Sequence, residues 1–383
     1  MKTIKLYDDD AYAVEFAGKV LSCEQIEEGY AVILDKTLFF PEEGGQTPDK
    51  GDIDGIEVLD VQIKDNIITH TTAQPLEVGK MVQGKIDWQH RFYNMQQHSG
   101  EHLFSGLAYR KYGYKNVGFH LSNQIVTMDF DGVFTKEQLD EMEWEINKAI
   151  VANVPIKTGY PSKEELAALD YRSKLALEED VRIVEIEGYD ICACCAPHVH
   201  RTGEIGSFKI QSAQNYKKGM RISILCGFRA LVEYQKKSEI IAGLTSILTT
   251  NQELLIDNVK KQKAQIQTLS QELNIAKQAL MEYKLQAIPS EKEHVLLFEQ
   301  GLEQLVMRNI VNQLVEKHSG ICAVFVGDDT RGYSYILGSK NIDCREIASR
   351  LREAFGAKGG GTAPMIQGQV LSTQEAIRNL LEK

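Results

Sequence analysis

Hydrophobic positions in the first 85 residues come in short runs. Ala11-Tyr-Ala-Val-Glu-Phe16, Gly29-Tyr-Ala-Val-Ile-Leu34 and Gly55-Ile-Glu-Val-Leu-Asp-Val-Gln-Ile63 are β-branched or aromatic stretches bounded by Gly, Asp and Asn, the pattern of strands. Between them Pro41-Glu-Glu-Gly-Gly-Gln-Thr-Pro48 reads as a turn or loop. The period then lengthens. Asp87 is placed to cap a helix running to about Tyr112, and Leu139, Met142, Ile146, Ala149 and Ile150 share one face of a second helix over 136–153. Val126–Phe130, Val181–Ile186, Ile205–Ile210 and Met220–Leu225 read as further strands. The expected class is α+β: a β-barrel-like N-terminal subdomain over 1–85, followed by an α/β domain over 86–226.

From Phe228 to Ile288 the chain has no Pro and a single Gly, Gly243. Val259, Ile266, Leu269, Leu273, Ala276, Leu280 and Tyr283 follow a 3–4 spacing, so 227–289 reads as a helical or coiled-coil linker. It would pack along its own chain, fold as a hairpin, or join two copies. Strands at Val295–Phe298, Ile321–Val326, Tyr333–Leu337 and Met365–Val370 alternate with helices near 301–318, 342–355 and 373–382, which predicts a C-terminal α/β domain over 290–383.

Composition narrows the class. At 383 residues, 43% hydrophobic and 25% charged, the chain reads as a multi-domain globular protein. No apolar run approaches the ~20 residues that span a bilayer, so no membrane partner is expected. Seven Cys, three of them crowded at 192, 194 and 195, suit a reducing cytoplasm and thiols kept for metal or packing. Net charge is −11, and residues 1–226 hold 24 Lys+Arg against 36 Asp+Glu. Any nucleic-acid contact should therefore use local patches or the C-terminal half, not the global field.

Two motifs carry chemistry. His98-Ser-Gly-Glu-His102 sets two imidazoles four residues apart on one helix face. Cys194-Cys195-Ala-Pro-His198 adds a thiolate and a third imidazole, and such a set suits one Zn2+ per chain. Cys192, Cys195 and His200 compete as ligands on spacing alone. His98-x-x-Glu101-His102 also fits a zinc metalloprotease pattern with Glu101 as base, and a non-catalytic zinc- and RNA-binding module is a further alternative.

Gly44-Gly45-Gln46, His98-x3-His102 and Cys194-x3-His198-Val-x-x-Thr-Gly-Glu-Ile-Gly206 together resemble the editing domain of alanyl-tRNA synthetases and their free-standing relatives, the alanyl-tRNA editing proteins. Gly356-Ala-Lys-Gly-Gly-Gly-Thr-Ala-Pro-Met-Ile-Gln-Gly-Gln369 is similar to the glycine-rich signature of the synthetases' C-terminal domain. The resemblance covers nearly the whole chain and matches the long free-standing form. It implies that His98, His102, Cys194 and His198 are the ligands and that the substrate is tRNA(Ala) mischarged with Ser or Gly. It implies ester hydrolysis without aminoacylation, with Gln46 at the aminoacyl end beside Gly44 and Gly45. Chemistry adds Thr37, whose hydroxyl suits a seryl side chain, to these substrate-binding candidates, and Glu101 to Gln46 as a catalytic candidate; Glu101 also reads as a ligand's partner or as a solvated charge. Lys358, Gly359, Gly360, Gly361 and Arg91 are the tRNA-binding candidates, together with Arg110, Lys111 and Lys115 near the metal helix. A homodimer through residues 250–383 is also expected, as are nucleotide and ATP binding. Cys195-Ala196-Pro197 departs from the Gly-Gly-Thr found in many relatives.

Overall fold

The short strands predicted at the N-terminus close on themselves. The computed structural model describes residues 2–122, 125–173 and 181–382. In it, strands Glu15–Ile26, Gly29–Leu34, Ile67–Thr72, Ile56–Lys64, Gly51–Ile53 and Met81–Ile86 form a closed barrel in that spatial order. Alternate residues point inward, as a pleated strand requires. Val32, Leu34, Val58, Val61, Ile68, Val82 and Ile86 therefore fill a core with Leu38, Phe39 and Phe40.

Helix Trp88–Tyr112 follows the barrel directly. Asp87 caps it by accepting a hydrogen bond from His90 N at 3.1 Å, and Gly113 ends it in the left-handed region at φ 72°. The helix is buried from Asn94 to Ala108, so its polar residues must find partners inside the protein. Around it lie the Lys136–Ala152 helix, a three-stranded sheet (Ile156–Gly159, Ile183–Ile186, Asp190–Ala193) and a four-stranded antiparallel sheet ordered Phe208–Tyr216, Gly219–Cys226, Val126–Phe130, Asn116–Leu121. Thr135 and Gln138 form a reciprocal capping box at the start of the Lys136–Ala152 helix.

Two compact units emerge, Met1–Gln252 and Glu253–Lys383. The break falls inside the segment read as one helical linker. That segment forms two helices, Gly227–Ile247 and Leu255–Gln286, one in each unit. Between them Thr249 adopts φ 49°, a conformation no helix tolerates. Thr249, Thr250 and Asn251 are weak helix formers, and their combined propensity outweighs the absence of proline.

The second unit centres on a five-stranded sheet ordered Val295–Glu299, Cys322–Asp328, Gly332–Gly338, Met365–Val370, Lys358–Thr362, parallel in the first pair and antiparallel in the rest. Helices cover both faces. Cys322, Val324 and Ile336 pack on Met307, Ile310, Val311 and Leu314, while Ala323, Phe325, Tyr335 and Leu337 pack on Ile347, Leu351, Ile377 and Leu381. Lys358-Gly-Gly-Gly-Thr362 is an exposed edge strand. A Cβ on Gly361 would lie 2.3 Å from the Met365 carbonyl oxygen, so the glycine is needed for pairing with the neighbouring strand.

Candidate metal centre

The buried helix brings His98 and His102 to the same side, with ring centroids 5.5 Å apart. Strand Asp190–Ala193 runs past this side of the helix and delivers the Cys194–His198 segment. Gly106 permits the approach: a Cβ there would sit 2.4 Å from the Tyr189 carbonyl oxygen. One ligand atom each from His98, His102, Cys194 and His198 then falls within 4.8 Å of the others. Cys194 Sγ is 3.5 Å from His98 Nε2 and 3.4 Å from His198 Nε2.

Each imidazole is held at its other nitrogen. His98 Nδ1 donates to Gln46 Oε1 at 2.9 Å, and His102 Nδ1 donates to Asp190 Oδ2 at 2.8 Å. His198 Nδ1 lies 3.0 Å from Ser99 Oγ. Asp190 is itself gripped by Arg172 through two hydrogen bonds of 2.7 Å. Orienting partners of this kind hold the rings in place, so that the three Nε2 atoms face one point beside a thiol. Burial alone would raise the Cys194 thiol. The neighbouring His98 and hydrogen bonds from His102, His198 and His98 overcome it and hold the thiol well below its ordinary value. Burial would likewise lower His102, but the bonds to Asp190 and Cys194 raise it well above the usual imidazole range. Burial outweighs the pull of Cys194 at His198, which falls to about 3 and stays neutral. Cys194 and His198 thus hold the thiolate and neutral imidazole that a zinc ion needs, and zinc would displace the proton on His102.

The glycine-rich loop reaches this cluster from the barrel side. Gly45 has φ 84°, and a Cβ on it would lie 2.3 Å from the Phe119 carbonyl oxygen. Leu121 N donates to Gly45 O at 2.6 Å, and Thr47 N donates to Leu121 O at 3.1 Å. Clamped on both sides, the loop seats Gln46, fully buried, against His98.

Several site expectations change. Arg91 is not a tRNA contact: it is fully buried and paired with Asp49, donating also to Leu38 O at 2.6 Å and Ala11 O at 3.0 Å. Its guanidinium ties the helix to the barrel. Glu101 is not a solvated charge, since it is buried and its Oε1 accepts from Ser105 Oγ and Asn116 Nδ2, both at 2.6 Å. Its Oε2 stands 3.9 Å from His102 Nε2. Thr37 is also buried, 2.9 Å from His70 Nε2. The Val32 carbonyl takes the His70 Nδ1 proton at 3.2 Å, so the Thr37 hydroxyl donates to Nε2. Lys111 is bound to Glu141 and Glu145, and Arg110 to the Gly188 carbonyl. Lys358 and Gly359–Gly361 belong to the other unit. Asp190, Ser99 and Arg172 were not singled out from sequence, because nothing local marks a residue 88 positions away as an imidazole's partner. A second grouping, His102, Asp190 and Cys192, also lies within ligand range. There Asp190 is already committed to His102 and Arg172, and burial raises the Cys192 thiol to about 11, away from the thiolate a metal requires.

Comparison with known proteins bears on this arrangement. Residues 181–222 match the threonyl and alanyl tRNA synthetase second additional domain, and residues 7–90 match the class II (A) tRNA synthetases. The alanyl-tRNA editing protein Aarsd1 of Danio rerio is 30% identical over 95% of this chain and 93% of its own length. The alanyl-tRNA editing protein AlaX-L of Pyrococcus horikoshii is 26% identical over 99% of this chain and 98% of its own. The alanine–tRNA ligase of Ignicoccus hospitalis is 29% identical over 100% of this chain, which spans 42% of the ligase. Neither the site geometry nor these names supports the expected ATP binding or the protease reading, and neither is carried further. Among the described residues no helix is long and apolar enough to cross a membrane. With homology of this extent over nearly its full length, the chain belongs to the family of alanyl-tRNA editing proteins.

Proposed function

We propose that this chain is an aminoacyl-tRNA deacylase that hydrolyses the ester of Ser or Gly wrongly attached to tRNA(Ala), without charging tRNA itself. The observation that carries the reading is the ligand cluster. Three imidazoles and one low-lying thiol converge, and each imidazole is oriented by a second residue. This donor set fits Zn2+, with His98, His102, Cys194 and His198 as ligands. When bound, zinc would supply a Lewis acid for a water or for the aminoacyl group.

The chain's own residues do the rest. Gln46 Oε1 holds His98, while its amide Nε2 is buried with no hydrogen-bond partner among the described residues. That nitrogen is a donor available to the ester carbonyl oxygen, where negative charge develops during hydrolysis. Gly44 and Gly45, both exposed, let the backbone approach the aminoacyl end closely. Thr37 has committed its proton to His70, so toward a seryl hydroxyl it can only accept. Glu101 Oε2 sets a carboxyl oxygen 3.9 Å from His102 Nε2. In the second unit, Lys358 and the backbone of Gly359–Gly361 are exposed along a sheet edge and suit RNA phosphate.

The Leu255–Gln286 helix exposes Val259, Ile266, Leu269, Leu273, Leu280 and Tyr283 at heptad spacing. This supports a homodimer through residues 250–383, and sedimentation as a monomer at high concentration would count against it. The functional reading is tested by incubating the full chain with Ser-, Gly- and Ala-tRNA(Ala). Loss of Ser or Gly but not Ala is expected, together with zinc near one per chain and inactivity of His98→Ala and Cys194→Ala. Hydrolysis of none of the three, or equal hydrolysis of all three, would overturn it.

A further inference from the structure

Six buried side-chain polar atoms lack a hydrogen-bond partner among the described residues: Tyr7 Oη, Asp8 Oδ1, Glu43 Oε2, Gln46 Nε2, Thr47 Oγ1 and Arg229 Nη1. Five of them belong to just two stretches, 7–8 and 43–47. Proteins rarely leave such atoms orphaned, and gathering them in one region is what a ligand site requires.

Contacts place both stretches against the segment that carries Cys194. The Tyr7 ring meets Phe40 edge-on at 5.4 Å. Asp8 Oδ2 accepts from Tyr160 Oη at 2.8 Å, and Asp8 Oδ1 lies 3.3 Å from Arg182 Nε. Arg182 in turn donates to the carbonyls of Cys194 at 3.1 Å and Ala196 at 2.8 Å. On the loop side, a Cβ added to Gly44 would lie 3.5 Å from Cys195 Sγ. Tyr7, Glu43 and Cys195 thus share one small region beside a metal ligand. Their proximity registers electrostatically: after burial itself, Asp8, Glu43 and Cys195 raise the Tyr7 hydroxyl, which stays protonated.

The charges are unequally compensated. Asp8 has Arg182, whereas Glu43 meets the neutral Cys195 thiol as a hydrogen-bond partner and keeps Oε2 unsatisfied among the described residues. A buried carboxylate oxygen and a phenolic oxygen, both unsatisfied, ask for a cationic hydrogen-bond donor. Every aminoacyl ester offers one whatever its side chain, the α-ammonium group.

Building on the deacylase reading, we propose that Glu43 and Tyr7 form a subsite for the substrate's α-ammonium group, so that the site takes esters with a free α-amine and refuses N-acylated ones such as peptidyl-tRNA. Glu43 accepts from the ammonium at Oε2, and Tyr7 Oη accepts a second of its protons. Gln46, three residues on, faces the carbonyl end of the same group.

The test is binding and needs no turnover. The zinc-containing full chain is titrated with 3′-serylamino-3′-deoxyadenosine and with its counterpart lacking only the α-amine. The amine-bearing compound should bind at least about 10-fold more tightly, since its charge-assisted bonds are lost in the other. Glu43→Gln should shrink the ratio to within about 3-fold by weakening only the amine-bearing compound, with zinc content unchanged, and Tyr7→Phe should shrink it in part. The preference should fade above about pH 8 as the α-amine loses its proton. Equal binding of the two compounds by the parent protein overturns the subsite alone, even if Glu43→Gln does not fold. Binding of neither overturns the deacylase reading along with it.

Discussion

Replacing Arg91 by Ala should cost the first unit a large part of its stability. Arg91 is fully buried, donates from Nε to both Asp49 oxygens at 3.0 Å, and serves the Leu38 and Ala11 carbonyls. Asp49 is 2% exposed, and its other hydrogen bond comes from Phe40 N at 2.7 Å. Removing the guanidinium strands that carboxylate and two backbone carbonyls, and breaking a buried pair in this way costs about 3–5 kcal/mol. Against a total near 5–15 kcal/mol, this is a fifth or more of what holds a domain folded. Both tryptophans, Trp88 and Trp144, lie in the first unit, so urea unfolding followed by tryptophan fluorescence reads that unit. At a slope of about 2–3 kcal/mol per M, the midpoint should fall by roughly 1–2 M. Pairing Arg91→Met with Asp49→Asn, which keeps the bond to Phe40 N but removes the stranded charge, should recover at least about 1 kcal/mol relative to additivity. Folded Arg91→Met should bind tRNA as the parent does. A midpoint within error of the parent's, or a selective loss of tRNA affinity, would refute the assignment of Arg91 as an internal tie.

Three further outcomes follow from the geometry. Asp190→Asn removes the anion that orients His102 and should weaken zinc binding about 10–100-fold in a chelator competition; unchanged affinity would show that His102 needs no partner. Burial lowers His70 to about 4 from 6.5, so between those values the unfolded chain binds the proton and the folded chain does not. Stability is thus intact above pH 6.5 and lost as pH falls toward 4, by about 2 kcal/mol at pH 5; His70→Leu should lack this component in urea titrations at pH 7 and 5. Gly361→Ala should destabilise the second unit by about 1–3 kcal/mol in thermal unfolding, while Gly360→Ala, whose Cβ meets nothing within 4 Å, should be tolerated. The reverse order would argue against the edge-strand pairing.

Local pattern made much of this legible. The helix expected from Asp87 to about Tyr112 spans Trp88–Tyr112, and the five apolar residues assigned to one face of the next helix are its buried set. The metal motifs could be read because their ligands lie in two short clusters. What sequence hid was everything decided by distant contact. Arg91 looks like any surface cation until Asp49 is folded against it. Glu101 sits one position from a ligand, yet its surroundings come from Asn116 and Ser105. The break near Thr249 was masked because the residues on both sides keep helical spacing.

The three partners that steady the imidazoles lie far from them along the chain. Gln46 precedes His98 by 52 positions, Asp190 follows His102 by 88, and His198 follows Ser99 by 99. Contacts of such separation form late, since each closes a long loop. A growing polypeptide therefore presents His102 long before Asp190 can aim it, and the thiol and third imidazole come later still. Metal capture and final folding should coincide, which keeps a half-made chain from holding zinc in a geometry competent for hydrolysis.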